Sequence, residues 1–280
     1  MDNVILAYEL NHCLKQKIPG KTGHASVKLD ISKAYDRVEW CFLERVLGRL
    51  GFNKGFVSIV MKCVTTVSYS FLLNGEQFGF LSPERGLRQG GPLSPYLFLL
   101  CAEAFSGLIR SAETEGAIQG VSVARSAPPI SHLLFADDTL IFCQATREAL
   151  TSLQRVLSIF EAASGLQINK HKSAMVFSRN VEEDTRTALT QILGISVVSK
   201  HEKYLGLPTV LGRSKKEMFD TIKDRIWKKL HTWSSKKLSQ AGRAVLLKTV
   251  LQTIPTFAMS CYRLPETLLK ELESLMADFF

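Results

Sequence analysis

Two hydrophobic periods divide the chain. Apolar residues alternate with polar ones in short runs and recur every three to four positions in longer ones, the patterns of strands and helices respectively. Ala25–Asp30, "ASVKLD", reads as a short strand ending on an acid. From Ser32, the positions Tyr35, Val38, Phe42, Val46 and Leu50 predict one helix stopped by Gly51, and a second helix runs to about Thr66. "SYSFLLNGEQFGFLS" alternates around Asn74-Gly75, two residues that accept positive φ, and predicts a hairpin. After the turn-rich "SPERGLRQGGPLSP", a helix is expected from about Ser94 to Glu115, with Pro92 and Pro95 at its entrance, where missing amides do no harm. In "HLLFADDTLIF", His132–Phe142, two apolar runs flank Asp137 and Asp138 and predict a second hairpin. Thr146 reads as the N-cap of a helix that buries Leu150, Leu153, Leu157 and Phe160 and ends at Gly165; "SAMVFS", 173–178, returns as a strand. No regular βαβ repeat emerges, so the expectation is an α+β fold with an antiparallel sheet and packed helices.

Beyond about residue 210 the pattern becomes purely helical. Met218, Phe219, Ile222, Ile226, Leu230 and Trp233 form one apolar stripe. Ala244, Leu247, Leu251 and Ile254 form a second, which Pro255 is expected to stop, and Leu268, Leu272, Leu275 and Phe279 a third after Pro265. The last pattern carries no stop signal, so the sequence reads as a fragment.

Composition and charge sharpen this picture at one place. With 280 residues, 46% hydrophobic and 22% charged, the chain can bury a substantial core. Its net charge of +9 is concentrated in 198–263, which holds 14 basic and 4 acidic side chains. Such a region suits a polyanionic partner; a solvated helical face is the plainer alternative. Nothing at the start resembles a signal peptide, and the longest apolar run, Tyr96–Ala102, is too short for a bilayer, so an intracellular protein without a membrane partner is expected. The six cysteines, at 13, 41, 63, 101, 143 and 261, show no C-x-x-C pair and no zinc spacing, and are expected to be reduced core residues.

The acids carry the chemistry. Asp30 closes a strand before a helix start, where the amides of Ile31 to Tyr35 suit phosphate oxygens, although an ordinary cap explains the same pattern. If that strand lies beside the 132–142 hairpin, three carboxylates converge. Two unit charges 4 Å apart repel by about 4 kcal/mol at an effective dielectric near 20. Divalent cations relieve such repulsion, and hard oxygen ligands without His or Cys select Mg²⁺ over zinc. Two ions about 3.5–4 Å apart activate an attacking hydroxyl and steady a leaving phosphate.

Five segments in order, "VKLDISKAYDRVEW", "RGLRQGGPLSPYLF", "LLFADDTLIF", "GLQINKHKSAMVFS" and "YLGLPTVLGR", resemble the palm motifs of reverse transcriptases of the non-LTR, LINE-type retrotransposon family, most of all its plant members. The resemblance covers nearly the whole chain. It implies a right-hand polymerase: a remnant of the fingers at 1–24, the palm at 25–200, and a primer-grip hairpin with a basic, truncated helical thumb at 201–280. It also implies an RNA-directed DNA polymerase that adds deoxynucleoside triphosphates to a DNA primer on an RNA template. Two Mg²⁺ would serve it, with Mn²⁺ as a substitute, and it would copy element RNA at a nicked chromosomal end, which favours the nucleus over the cytoplasm.

By matched position, Asp30, Asp137 and Asp138 would bind metal with the Ile31 carbonyl. Ser32, Lys33, Ala34 and Tyr35 would surround the incoming nucleotide, Tyr35 beneath its sugar so as to exclude a 2′-hydroxyl. Arg88, Gln89 and Gly90 would touch the nucleotide, its phosphates or the template. Lys172, with Lys170 as the alternative, would give a proton to departing pyrophosphate. Tyr204, Leu205 and Gly206 would hold the primer end, and Lys215, Lys216, Lys223, Lys228, Lys229, Arg243 and Lys248 would track the nucleic-acid backbone. The family's upstream fingers and its endonuclease, cysteine-rich and RNase H regions fall outside this sequence and would act as partners within the element polyprotein. Gly91 stands where relatives often carry Asp or Cys. The rival expectations are a nucleic-acid-binding remnant without catalysis and a palm-like nucleotide cyclase, which would need a Gly-rich acidic loop in place of "FADD".

Overall fold

The computed structural model describes every residue except 17–21, 125, 202, 210–214 and 235–237, together with the side chains at 215–218. Contacts divide the chain into two units, Leu10–His201 and Met1–Glu9 with Glu202–Phe280. A first helix, α1 (Asp2–Lys15), precedes the strand β1 (His24–Leu29). Then come α2 (Ala34–Arg37), α3 (Trp40–Arg49), α4 (Lys54–Thr65) and the hairpin β2 (Tyr69–Leu73) and β3 (Glu76–Leu81). The long helix α5 (Ser94–Thr114) leads to β4 (His132–Phe135), β5 (Asp138–Gln144), α6 (Arg147–Ser164), β6 (Ala174–Phe177), α7 (Glu183–Leu193) and β7 (Ser196–Val197).

The larger unit is built on one sheet in the order β4-β5-β1-β6-β7. Its pairs are antiparallel except β6 with β7, which run parallel. Alternation along β1 sends Ala25, Val27 and Leu29 to one face, where Ile141, Cys143, Met175 and Phe177 join them in the core beneath α5 and α6. Phe105 and Phe160 stack there with ring centres 4.5 Å apart. The opposite face carries Ser26 and Lys28 opposite Phe142 and Leu140. The caps read from the sequence are present: Thr146 accepts a hydrogen bond from the Ala149 amide at 3.2 Å, and Gly165 adopts φ 75.

Three expectations change. The single helix from Ser32 to Leu50 is two, broken at Val38 (φ −58, ψ 117) and at the extended Glu39, neither of them helical. Periodicity continues across the break, but tertiary hydrogen bonds replace helical ones: the Gly86 amide donates to Val38 O, the Glu39 amide to Ser164 O, and Trp40 Nε1 to Gly86 O. The cysteines are all free, yet only Cys101 and Cys143 are buried, and Cys41 and Cys63 are exposed. Burial pushes both buried thiols up to about 12.

The third change lies in the smaller unit, which comprises the short hairpin β8 (Lys203–Tyr204) and β9 (Leu207–Pro208) and the helices α8 (Lys215–Ser234), α9 (Gln240–Leu246), α10 (Thr253–Cys261) and α11 (Glu266–Phe279). Pro255 does not stop the second of the expected helices. A π-helical turn at Leu247–Leu251, with the Gln252 amide donating to Leu247 O, resets the ladder so that Pro255 falls in the first turn of α10, where no amide is needed. The resulting helical stretch Gln240–Cys261 is long and apolar enough to cross a membrane by length and composition alone, a feature hidden to a search for uninterrupted apolar runs. It carries Arg243 and Lys248, and its Leu251 and Ala258 join Val4, Phe219, Ile226, Leu268 and Leu272 in the unit's core.

The hairpin β2–β3 turns at Asn74 (φ 54) and Gly75 (φ 88) as expected, but each of its strand residues is exposed. Leu72 is 77% exposed, so Leu72→Asp should change unfolding free energy by less than about 0.5 kcal/mol in urea titrations.

His201 provides a pH-dependent counterpart. Its Nε2 lies 3.0 Å from Ser26 Oγ and 3.2 Å from Ser26 O, and burial lowers its pKa from 6.5 to about 4, against the Ser26 carbonyl and with help from the Lys28 charge. Between those values the unfolded chain binds a proton that the folded imidazole refuses. Stability from this site is therefore full above about 6.5 and drains as pH falls towards about 4, by at most about 3 kcal/mol. Urea midpoints at pH 7 and pH 5 should differ less in His201→Gln than in the native chain.

Candidate active site

Strand register assembles the acids. β1 pairs with β5 from His24↔Gln144 to Leu29↔Thr139, and continuing the register by one residue sets Asp30 across from Asp138. The β4–β5 hairpin closes with Phe135↔Asp138, so Ala136 and Asp137 form its two-residue turn. Ala136 has φ 50, a left-handed conformation that costs an L residue about 1–2 kcal/mol. Asp137 is exposed, while Asp30 and Asp138 are half-buried.

The loop carrying Lys172 is fastened to the same strand end. The Asp30 amide donates to Ser173 Oγ at 3.1 Å, the Asn169 amide to Asp30 O at 2.8 Å, and the Ser32 amide to Gln167 O at 2.8 Å. The Ser32 amide, expected to face phosphate, is thus spent within the fold. Lys172 and Lys170 are both exposed; a Cβ placed on Gly194, the C-cap of α7, would lie 3.7 Å from Lys170 Nζ. That places the Lys170 cation at the negative end of a helix.

Electrostatics single out Asp138. Burial raises its pKa above the ordinary carboxylate value; Lys28, with Nζ 3.7 Å from Asp138 Oδ1, opposes the rise, and the charges of Asp137 and Asp30 add to it. The donor set is hard oxygen with mutual repulsion, chemistry that suits a divalent cation. Among the described residues, however, no group of three or more His, Cys, Asp or Glu side chains is drawn close enough to form a ready cage.

Beside the acids lies a cavity of about 420 Å³, lined by Ile31, Lys33, Ala34, Tyr35, Gln89, Gly90, Pro95 and Asp137. Tyr35 stacks on Phe98, ring centres 5.0 Å apart, and so is both a core aromatic and a cavity wall. Gln89 Nε2 donates to Asp36 Oδ1 at 2.9 Å, which fixes the amide nitrogen and leaves the amide oxygen out of that bond. Gln89 also borders a larger cavity of about 710 Å³ with Asp36, Arg85 and Arg88. The Arg88 carbonyl accepts from Ser94 Oγ at 2.6 Å, tying the loop to the start of α5, while its side chain is exposed.

In the smaller unit the expected binding residues divide. Tyr204 is buried, and Leu205 (φ 51) and Gly206 (φ 78) form the tip of β8–β9. Lys228, Lys229 and Lys248 are exposed. Lys223 is engaged by Glu271 at 2.6 Å, and Arg243 donates to Phe279 O at 3.2 Å with its guanidinium over the Phe279 ring. Both serve the helical core, while the side chains of Lys215 and Lys216 lie outside the described residues. Two residues were missed from sequence: Lys28, legible as two positions before Asp30 on the same strand face, and Asp36, one residue past Tyr35.

Against known proteins, the family model described as reverse transcriptase (RNA-dependent DNA polymerase) matches residues 3–209. The transposon TX1 uncharacterized 149 kDa protein of Xenopus laevis is 26% identical over 99% of this chain and 21% of that protein. The Pol polyprotein from the type-2 retrotransposable element R2DM of Drosophila melanogaster is 29% identical over 80% of this chain and 21% of its own length. An uncharacterized mitochondrial protein of Arabidopsis thaliana is 56% identical over 69 residues, 25% of this chain and 57% of that protein. The chain therefore spans between about a fifth and just over half of these relatives. Among solved structures, telomerase from Candida tropicalis in complex with a TWJ fragment of telomeric RNA aligns with a TM-score of 0.50 at 14% identity, over 97% of this chain and 44% of that one, a likeness of fold alone.

Proposed function

Because the chain belongs to the reverse transcriptase (RNA-dependent DNA polymerase) family, with relatives among non-LTR retrotransposon polyproteins, we propose that it adds deoxynucleotides to a primer 3′ hydroxyl on an RNA template. The observation that carries this reading is the β1–β5 register, whose last pair, Leu29↔Thr139, leaves Asp30 and Asp138 as the next residues of the two chains, beside a cavity lined by Tyr35, Gln89 and Asp137. On this reading 25–200 is the palm and 201–280 the primer grip and thumb.

Asp30, Asp137, Asp138 and the Ile31 carbonyl are the groups that would hold two Mg²⁺. Bound there, the ions supply an activated 3′ hydroxyl and charge stabilisation for departing pyrophosphate. The protein does the positioning: Tyr35, braced by Phe98, supports the sugar, and Gln89, oriented by Asp36, meets the nucleotide or template. Lys172 offers pyrophosphate a proton. The exposed Lys228, Lys229 and Lys248 contact phosphates without reading bases. Template RNA, a DNA primer, the remaining polyprotein and a nuclear location follow from the same reading.

The exposed Lys228, Lys229 and Lys248, which need no metal to contact phosphates, fit equally a second reading, a nucleic-acid-binding remnant. Primer extension on a homopolymer RNA template separates the two. Incorporation of deoxynucleotides with Mg²⁺ or Mn²⁺ is expected; retained template binding with no incorporation under either ion would establish the remnant instead.

A further inference from the structure

Lys28 sits within the acid group yet belongs to none of the assigned roles. It lies on the same face of β1 as Ser26, two residues before Asp30, and pairs across the sheet with Leu140, which puts Asp138 on the diagonal of the ladder. Its ammonium reaches Asp138 Oδ1 at 3.7 Å, and its side chain is 26% exposed against 39% for Asp138. A lysine at the protein surface would be free to swing into water; this one rises from the central strand of a five-stranded sheet, between β5 and β6, which restricts where its charge can go. Asp137 and Asp30 both act on the same carboxylate with the opposite sign. Two arrangements of charge are therefore balanced at one side chain: a lysine already present, and any cation that the acids attract.

We propose that Lys28 is a resident counter-cation of the acidic site, holding Asp138 in place before divalent ions bind and weakening their binding by competing for its carboxylate. This rests on the reading of Asp30, Asp137 and Asp138 as metal-binding groups. Lys28 is a positioning residue, since it touches an acid and no reacting atom.

The test is direct titration of the full chain with Mn²⁺, followed by calorimetry and by the electron paramagnetic resonance of the free ion, without nucleotide or primer. Lys28→Gln is expected to bind Mn²⁺ about tenfold more tightly than the native chain at low salt, and the gain should shrink as ionic strength rises. Lys28→Arg, which keeps the charge, should bind within about twofold of the native chain and shows that the site tolerates change there. Unchanged or weaker Mn²⁺ binding by folded Lys28→Gln overturns the inference. Asp137→Asn distinguishes the underlying reading: if it binds Mn²⁺ as well as the native chain, the acids are not the metal site and both ideas fall. If it binds much more weakly while Lys28→Gln is unaltered, only the role of Lys28 is lost.

Discussion

Asp30→Asn is expected to lower the rate of primer extension at least about a thousandfold while leaving the fold intact. The loss corresponds to about 4 kcal/mol of transition-state stabilisation, the scale supplied by correctly held metal ions. An asparagine keeps the size of the side chain but offers one neutral oxygen where the proposed site needs an anion. The local fold does not depend on that carboxylate, because Asp30 is tied in place through its backbone, by Ser173 Oγ and the Asn169 amide. Removing one of several like charges opposite Asp138 also relieves repulsion, so the melting temperature should hold or rise slightly. Single-turnover extension measures the loss, and thermal unfolding measures the stability. An Asp30→Asn protein that extended primers at the native rate would remove Asp30 from the chemistry.

Gly86→Ala should cost about 4 kcal/mol of stability, the largest structural effect expected near the site. Gly86 has φ +90, and a Cβ there would lie 2.7 Å from Asp36 O and 3.0 Å from Asp36 C, both backbone atoms. The positive φ accounts for about 1–2 kcal/mol and the displaced backbone for about 1–3 kcal/mol. The damage would not stay local. The Gly86 amide donates to Val38 O, the Leu87 amide to Tyr35 O at 2.7 Å, and Gly86 O accepts from Trp40 Nε1. These bonds lock the Arg88–Gly90 loop to α2, so extension should fall with stability. Gly90 supplies the comparison: its φ is +76, but an added Cβ meets nothing within 4 Å, so Gly90→Ala should cost only about 1–2 kcal/mol. Urea unfolding with an unchanged slope and a lower midpoint for Gly86→Ala is the expected result.

How far the sequence reached is clearest at these same residues. The hairpin around Asp137 and Asp138 was legible because two apolar runs flank two acids at the spacing of a tight turn, and Asn74-Gly75 because both residues accept positive φ. The break at Val38 was not legible. Apolar spacing records which positions face a core, and it is the same whether the helix runs on or is interrupted by bonds to Gly86 and Ser164. The π-helical turn before Pro255 escaped for a related reason, since a proline is read as a stop unless a reset of the helical ladder moves it into a first turn.

By itself, the sequence determined the antiparallel character of most of the sheet, the caps, the basic helical unit and the ordered motifs that carry the family resemblance, because each rests on residues close together in the chain. Only the tertiary structure decided which charges meet. That Asp30 comes to lie across from Asp138, that Lys28 is the cation beside it, that Asp36 orients Gln89, and that Lys223 and Arg243 serve the helical core all follow from strand register and packing. Coulomb energies depend on distance and burial, and both are properties of the folded chain rather than of its residue order.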